Sequence, residues 1–158
     1  MPSIYDAIKA DHDRHRALLD RIAGTTGDSD DRRAAWAEFY RDVKSHAAAE
    51  EETFYSKLIA DEDGQPEGRH SVAEHKEVDD MMEELNEIEF SSSAWLTKFK
   101  QMRERYEHHI EEEEEDIFPV AKEVIGNDGN ETIGSAFEKR KEAEIELVDE
   151  KAEEKLEE

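Results

Sequence analysis

The stretch that decides the fold is residues 36–58, WAEFYRDVKSHAAAEEETFYSKL. Its large side chains recur at steps of three and four, which is the spacing of one face of an α-helix. That face carries Trp36, Phe39, Val43, His46, Glu50, Phe54 and Leu58. Because an imidazole and a carboxylate interrupt an otherwise apolar series, we predict a buried helix with functional polar side chains at mid-length.

The same arrangement returns in residues 95–124. Its helical face carries Trp95, Phe99, Met102, Tyr106, His109, Glu113, Ile117, Val120 and Val124. His46 with Glu50 and His109 with Glu113 are two H-x-x-x-E pairs, and residues four apart on a helix share a face. In both copies an aromatic residue follows nine positions after the His. Two such pairs facing each other would surround a buried pair of metal ions.

Apolar residues at helical spacing predict two more helices, so that the two described above become the second and the fourth of four. The first begins at a capping Ser3 and ends before Gly24, and the second begins near Asp28 or Ser29. The third runs from about Arg69 to Phe90, after a loop over residues 61–68. Serines 91–93 can cap the fourth.

Gly and Pro are scarce and lie mostly between the periodic segments, as in an all-α protein. The exception is Pro119, which should kink the fourth helix or mark a local irregularity. We therefore predict one all-α domain, residues 1–158. It would be an antiparallel up-down-up-down four-helix bundle over residues 3–126, with an additional C-terminal helix over about residues 131–154.

Composition limits the class of partner. The formal net charge is −24, with 42% charged and 35% hydrophobic residues. This acidic field repels nucleic acids and anionic membranes, so we expect neither as a partner. Without cysteine the chain can form no disulfide, iron–sulfur cluster or thiol nucleophile. Neither a signal peptide nor a membrane-spanning run is recognisable, so we expect a cytoplasmic protein.

Each of the four bundle helices carries an inward imidazole. His12 lies on the first helix and His75 on the third, in addition to the two paired histidines. A charged surface alone readily produces one H-x-x-x-E pair, but two in matching registers with a His on both other helices are hard to obtain by chance. Buried carboxylates are costly and repel each other, and bound cations remove that penalty. Imidazole and carboxylate without sulfur suit iron or manganese, with zinc as an alternative.

The ordered set of these residues resembles the hemerythrin-like, HHE cation-binding domain family. The resemblance is carried by Asp11-His12, residues 46–55 (HAAAEEETFY), Glu74-His75 and residues 108–119 (HHIEEEEEDIFP). It covers nearly the whole chain and implies a four-helix bundle around an oxo- or hydroxo-bridged pair of iron ions. It further implies the metal ligands: His12, His46, His75 and His109 as terminal ligands, with Glu50 and Glu113 as bridges.

The chain departs from the oxygen-carrying hemerythrins at two places. Those proteins have a second His four residues before the third-helix ligand, where this chain has Ser71, and they use H-x-x-x-x-D on the last helix. Fewer nitrogen ligands imply a more open site, which favours binding or reaction of O2, peroxide or nitric oxide over simple oxygen carriage. An oxidoreductase activity would then be catalase-like, with an unknown redox partner. The alternatives are an iron- or oxygen-sensing or iron-storage module, and an apo bundle with vestigial ligands.

The remaining histidines leave alternatives open. His15 lies closer to the centre of the apolar stripe than His12, so spacing alone favours it, whereas the family register favours His12. We expect His15 to pack beside the ligands. His70 is turned about 140° from His75 on an ideal helix and is a poor co-ligand, and His108 is turned about 100° from His109.

Two further expectations concern the fourth helix. Tyr106 is most simply a core aromatic residue, with hydrogen bonding or metal ligation as the alternative. The glutamates of residues 111–115 other than Glu113 are expected to form a solvated face.

Overall fold

The computed structural model describes residues 3–126 and 130–157, and every regular element within them is helical. The elements are α1, Ile4–Ala23; α2, residues 30–60; α3, Gln65–Glu87; α4, residues 93–124; and α5, Asn130–Glu157. Helix α2 consists of Asp30–Glu50, a π-helical turn Glu51–Tyr55 and Ser56–Ala60. Helix α4 consists of Ser93–Glu112, a second π-helical turn Glu113–Ile117 and Phe118–Val124.

Serine side chains cap three of the helices, and the caps of α1 and α4 were predicted. Ser3, Ser29 and Ser92 each accept a hydrogen bond from a backbone N–H in the first turn of α1, α2 and α4 respectively. The predicted bounds of α3 were wrong, because this helix begins at Gln65 and ends at Glu87. Pro66 lies in its first turn, where a missing N–H breaks no helical hydrogen bond.

The predicted irregularity at Pro119 is confirmed. The π-helical turn Glu113–Ile117 ends two residues before it. Proline has no N–H to donate, and its ring crowds the carbonyl four residues earlier, so a wider turn here relieves a clash. The matching turn Glu51–Tyr55 in α2 has no proline near it.

Two apolar clusters occupy the ends of the bundle, and the polar residues of interest lie between them. One cluster centres on Trp36, Phe39, Trp95 and Phe99. The other joins the start of α1 to the later parts of α2 and α4 and to α5, through Ile8, Phe54, Phe118 and Phe137 among others. Every bundle helix therefore contributes a polar segment at the same level, enclosed by apolar packing on both sides.

Helix α5 lies against α1 and α2. The structure confirms a helical bundle, whereas the up-down-up-down order stays a prediction. Among the described helices, none combines the length and the apolar character that a membrane crossing requires.

Candidate metal centre

The six residues predicted as metal ligands come together in two buried groups. The first group is His12, His46, Glu50 and Glu113, and the second is Glu50, His75, His109 and Glu113. In each group the ligand atoms lie within 4.8 Å of one another. The four helices α1 to α4 each supply one imidazole, and both carboxylates belong to both groups.

Each carboxylate directs one oxygen to each group. For Glu50, Oε2 lies 3.3 Å from His46 Nε2 and Oε1 lies 2.9 Å from His75 Nε2. For Glu113, Oε1 lies 3.1 Å from His12 Nε2 and Oε2 lies 3.6 Å from His109 Nε2. Two carboxylates that split their oxygens in this way are arranged as bridges between two positions.

The inward atoms converge without bonding to one another. Within the described residues, both oxygens of Glu50, Glu113 Oε1, His46 Nε2 and His12 Nε2 make no hydrogen bond of acceptable geometry, although their separations are short. Glu50 and Glu113 are fully buried. Unsatisfied polar atoms in a protein core cost free energy, and a cation placed among these lone pairs would satisfy them.

The electrostatics of the two carboxylates show the same need for positive charge. Burial raises the pKa of Glu113, and the negative charge of Glu50 raises it further. Burial also acts to raise the pKa of Glu50, but the His46 and His75 imidazoles outweigh it and leave a net downward shift. The two facing acids therefore do not both ionise readily without a cation.

Carboxylates on the outer side of the imidazoles orient two of the rings. His46 Nδ1 lies 2.7 Å from Asp11 Oδ2, and His109 Nδ1 lies 2.9 Å from Glu74 Oε1. An ionised carboxylate only accepts, so each ring donates from Nδ1–H, and once Nε2 is deprotonated its lone pair points inward. Burial acts to lower the pKa of His46, but Glu50 and Asp11 outweigh it and raise the pKa. Burial lowers the pKa of His109 to about 4, which keeps that ring neutral.

The other two imidazoles face carboxylates at longer range. His12 Nδ1 lies 3.6 Å from Glu114 Oε2, and His75 Nδ1 lies 3.7 Å from Glu51 Oε2. The pKa of His75 rises to about 9, because the attraction of Glu50 and Glu51 exceeds the opposing effect of burial. Each inward imidazole therefore lies between two carboxylates, one of the central pair on its Nε2 side and an outer one on its Nδ1 side.

The two π-helical turns begin at the inward glutamates: one starts at Glu51, directly after Glu50, and the other starts at Glu113. On an unbroken α-helix nine residues span about 900°, which would place Tyr55 opposite His46. The turn Glu51–Tyr55 absorbs an extra residue and rotates the following chain by about 100°. Tyr55 is consequently buried, and its hydroxyl donates a hydrogen bond to Glu113 Oε2.

A cavity of about 430 Å³ connects this centre with the surface between α2 and α3. Its inner wall includes His46, His75 and His109. Its sides are largely apolar, and the exposed Lys76 lies at its outer edge. Further lining residues are Val43, Lys44, Ala47, Ala48, Glu51, Val72, Val78, Asp79, Met82 and Tyr106.

The family model described as the Hemerythrin HHE cation binding domain matches residues 3–121. The chain belongs to this family.

One solved relative has the same fold. It is the crystal structure of a hemerythrin HHE cation-binding domain-containing protein from Mycobacterium kansasii, which superimposes with a TM-score of 0.83 at 24% sequence identity. The superposition covers 93% of this chain and 90% of the other. At this identity the likeness concerns the fold.

A curated relative from Nostoc sp. is named DNA nickase. It is 22% identical to this chain over 139 residues, which is 88% of this chain and 39% of the relative. The HHE chain therefore spans about two fifths of that protein's length.

His15 lies beside the two groups of this HHE domain and belongs to neither. It contacts Asp42 through Nε2, so Nδ1 accepts a hydrogen bond of 2.6 Å from the Tyr106 hydroxyl. Burial lowers the pKa of His15 to about 4, consistent with a neutral ring. Tyr106 is thus a core residue with a hydrogen-bonding role, and Asp42 also accepts from Lys141 of α5 at 2.9 Å.

His70 and His108 also lie outside both groups, on the exposed side of the HHE domain. One expectation about their neighbours was wrong: Glu114 does not lie on a solvated face. Its side chain is 14% exposed and lies between Arg16 and His12. Glu111 and Glu115 are exposed, as predicted.

The outer carboxylates had no predicted role as partners of the imidazoles: Asp11, Glu51, Glu74 and Glu114. A signal for them is present, since each directly adjoins a predicted ligand: Asp11-His12, Glu50-Glu51, Glu74-His75 and Glu113-Glu114. Adjacent residues on a helix point about 100° apart. An acid next to a ligand can therefore reach an imidazole on a neighbouring helix.

Proposed function

We propose that this protein is a hemerythrin-like, non-haem di-iron protein that binds or reacts with O2, peroxide or nitric oxide in the core of its bundle. The observation that supports this most is the pair of imidazole groups that share both Glu50 and Glu113. A structural role would not need two buried acids placed face to face. Two bound cations would explain the arrangement, because each ion would be bound by one oxygen from each glutamate.

In this proposal His12 and His46 hold one ion, His75 and His109 hold the other, and the two glutamates bridge them. Nitrogen and oxygen ligands without sulfur fit iron or manganese, and zinc is an alternative. When bound, a pair of iron ions supplies redox chemistry and open coordination positions for a small ligand.

Residues around the centre orient the proposed ligands and leave space for a small molecule. Asp11 and Glu74 fix the direction of two imidazole lone pairs before any ligand arrives. Ser71 is fully buried one turn before His75, and its short side chain is a poor substitute for an imidazole at that position. The cavity reaches the same side of the centre, next to His75 and His109. A small molecule therefore has both a route and a place to bind.

The proposed ligand is a small molecule rather than DNA. A formal net charge of −24 opposes approach to a duplex, so the activity named for the Nostoc relative is left to that protein. The up-down-up-down order of the bundle and a cytoplasmic location remain part of the proposal.

The direct test measures iron per chain and the consumption of hydrogen peroxide by purified protein. We expect about two iron ions per chain in the wild type. The variant His109→Gln should hold fewer ions and lose turnover, because it removes an inward Nε2. The matched control is His108→Gln, since His108 is the adjacent residue but its side chain is 69% exposed. This variant should retain both ions.

Iron-loaded protein that is inert to peroxide, O2 and nitric oxide would overturn the proposal. That result would favour the alternative function of iron or oxygen sensing, or of iron storage. A sensor should also couple metal to structure, so its melting temperature should fall when a chelator removes the metal.

A further inference from the structure

A second set of potential ligands lies outside both buried groups and extends to the surface: His70 is exposed, Glu112 is half-buried and Glu74 is buried. His70 from α3 directs Nε2 toward two carboxylates, 3.0 Å from Glu112 Oε1 and 3.4 Å from Glu74 Oε1. Ligand atoms of these three residues lie within 4.8 Å of one another. Helices α3 and α4, which pack against each other, supply them.

We propose that His70, Glu74 and Glu112 form a third metal site, which binds one divalent transition-metal ion such as Zn2+ or Co2+. The site lies outside both buried groups and adjoins one of them, because Glu74 also accepts a hydrogen bond from His109 Nδ1. One imidazole and two carboxylates form a ligand set that these ions accept, with water completing the coordination.

The contacts of the two carboxylates favour a metal ion over a simple ion pair. Glu112 splits its oxygens, with Oε1 toward His70 and Oε2 3.4 Å from His108 Nε2. Glu74 Oε1 already accepts from His109 Nδ1 and still faces His70. A single N–H on Nε2 is shared between the two oxygens that face it and satisfies neither of them fully.

Positive charge is also missing from the immediate surroundings. Within the described parts of the chain, no lysine or arginine forms an ion pair with Glu74 or Glu112. On α4, Arg105 is paired with Glu77. Both acids face imidazoles alone, so a divalent cation would supply charge that the protein does not.

Exposure and nitrogen count set the expected strength of the site. The His70 side chain is 53% exposed and that of Glu112 is 23% exposed, so an ion can reach both from solvent, whereas the Glu74 side chain is 8% exposed and forms the inner side of the site. One nitrogen ligand is fewer than each buried group offers, so the surface site should be the weaker one and should fill and empty reversibly.

The test is equilibrium dialysis of the full-length, metal-loaded protein against Zn2+, followed by counting of zinc and iron per chain. We expect one additional zinc ion in the wild type. His70→Ala and Glu112→Gln should each bind it at least about tenfold more weakly. Glu111→Gln is the matched control, because it makes the same change at an exposed neighbour and should bind as the wild type does.

The proposal fails if the wild type takes up no additional ion, or if Glu111→Gln loses as much affinity as Glu112→Gln. The comparison between variants holds whichever metal fills the buried groups and whether or not that metal turns over peroxide. If a variant does not fold, paramagnetic shifts of the His70 ring signals in wild-type protein give a second readout. Co2+ must shift those signals at the same stoichiometry, and unshifted signals would overturn the assignment.

Discussion

The substitution Glu113→Gln should stabilise the metal-free protein and destabilise the metal-bound one. Glu113 is fully buried, and both burial and the charge of Glu50 raise its pKa above the ordinary 4.5. Gln has nearly the same shape and stays neutral at every pH. In the absence of metal it avoids the cost of placing a second acid beside Glu50, which we set at about 1–3 kcal/mol for a buried polar group without a proper partner.

This free energy is large enough to measure. For a domain of this size about 1 kcal/mol moves the melting temperature by about 3 °C, so the metal-free variant should melt about 3–9 °C higher. With metal the sign reverses, because Gln has no negative charge and only one oxygen, so it no longer offers a separate oxygen to each ion. A hundredfold loss of affinity would remove about 2.7 kcal/mol of metal-dependent stabilisation.

The pH dependence follows from the raised pKa. A carboxyl group with a raised pKa holds its proton more tightly in the folded than in the unfolded state. The stability that protonated Glu113 contributes to the wild type is therefore present below pH 4.5 and is lost as the pH rises through the raised pKa. The advantage of Gln in metal-free protein should therefore be small near pH 4.5 and grow toward neutral pH.

Thermal unfolding followed by circular dichroism, with chelator and with iron, measures both signs. Glu111→Gln is the control and should change stability by less than about 0.5 kcal/mol, since its side chain is exposed. A Glu113→Gln variant that melts lower without metal, or that gains as much stability from metal as the wild type, would refute the reasoning.

Three other substitutions probe the rest of the centre and its frame. Asp11→Asn should weaken metal binding about tenfold to a hundredfold in a chelator competition, because His46 loses its carboxylate acceptor, whereas the exposed Asp13→Asn should not. Val72→Trp narrows the cavity, so stopped-flow uptake of nitric oxide should slow while iron content stays constant. Trp95→Ala removes a fully buried ring and should cost about 3–5 kcal/mol in chemical denaturation, a result that a loss below 1 kcal/mol would contradict.

The helical pattern was sufficient to anticipate the inward residues. His46 and Glu50 stand in apolar registers of α2, and His109 and Glu113 stand in the same registers of α4. Helical periodicity is a local property, so one sequence reveals which side chains face the core. The placement of these residues in shared groups then follows from packing helices at the same level.

The contacts between helices could not be anticipated in the same way. Asp11 reaches His46 on α2, and Glu74 reaches His109 on α4, so both depend on how two helices are rotated against each other. A single sequence shows only that acids are abundant. For the same reason Glu114 was expected on the surface, although it lies between two residues of α1.

The π-helical turns illustrate a second limit. Pro119 indicated an irregularity in α4, but no residue type in Glu51–Tyr55 distinguishes that segment from ordinary α-helix. Its wider turn is stabilised by what it achieves in the folded bundle, namely the burial of Tyr55 and its hydrogen bond to Glu113. Tertiary packing and hydrogen bonding of this kind outweigh the helix propensity of the segment, so the local sequence does not predict the wider turn.

The C-terminal helix lies beyond the part of the chain that the family model covers, yet it is tied to the centre. Lys141 of α5 donates to Asp11 at 3.0 Å, and the same carboxylate oxygen accepts from His46. Whatever draws this helix away from the bundle would also alter how firmly that imidazole is held. By thermodynamic reciprocity, if detachment of α5 weakens metal binding, then metal binding strengthens the docking of α5 by the same free energy.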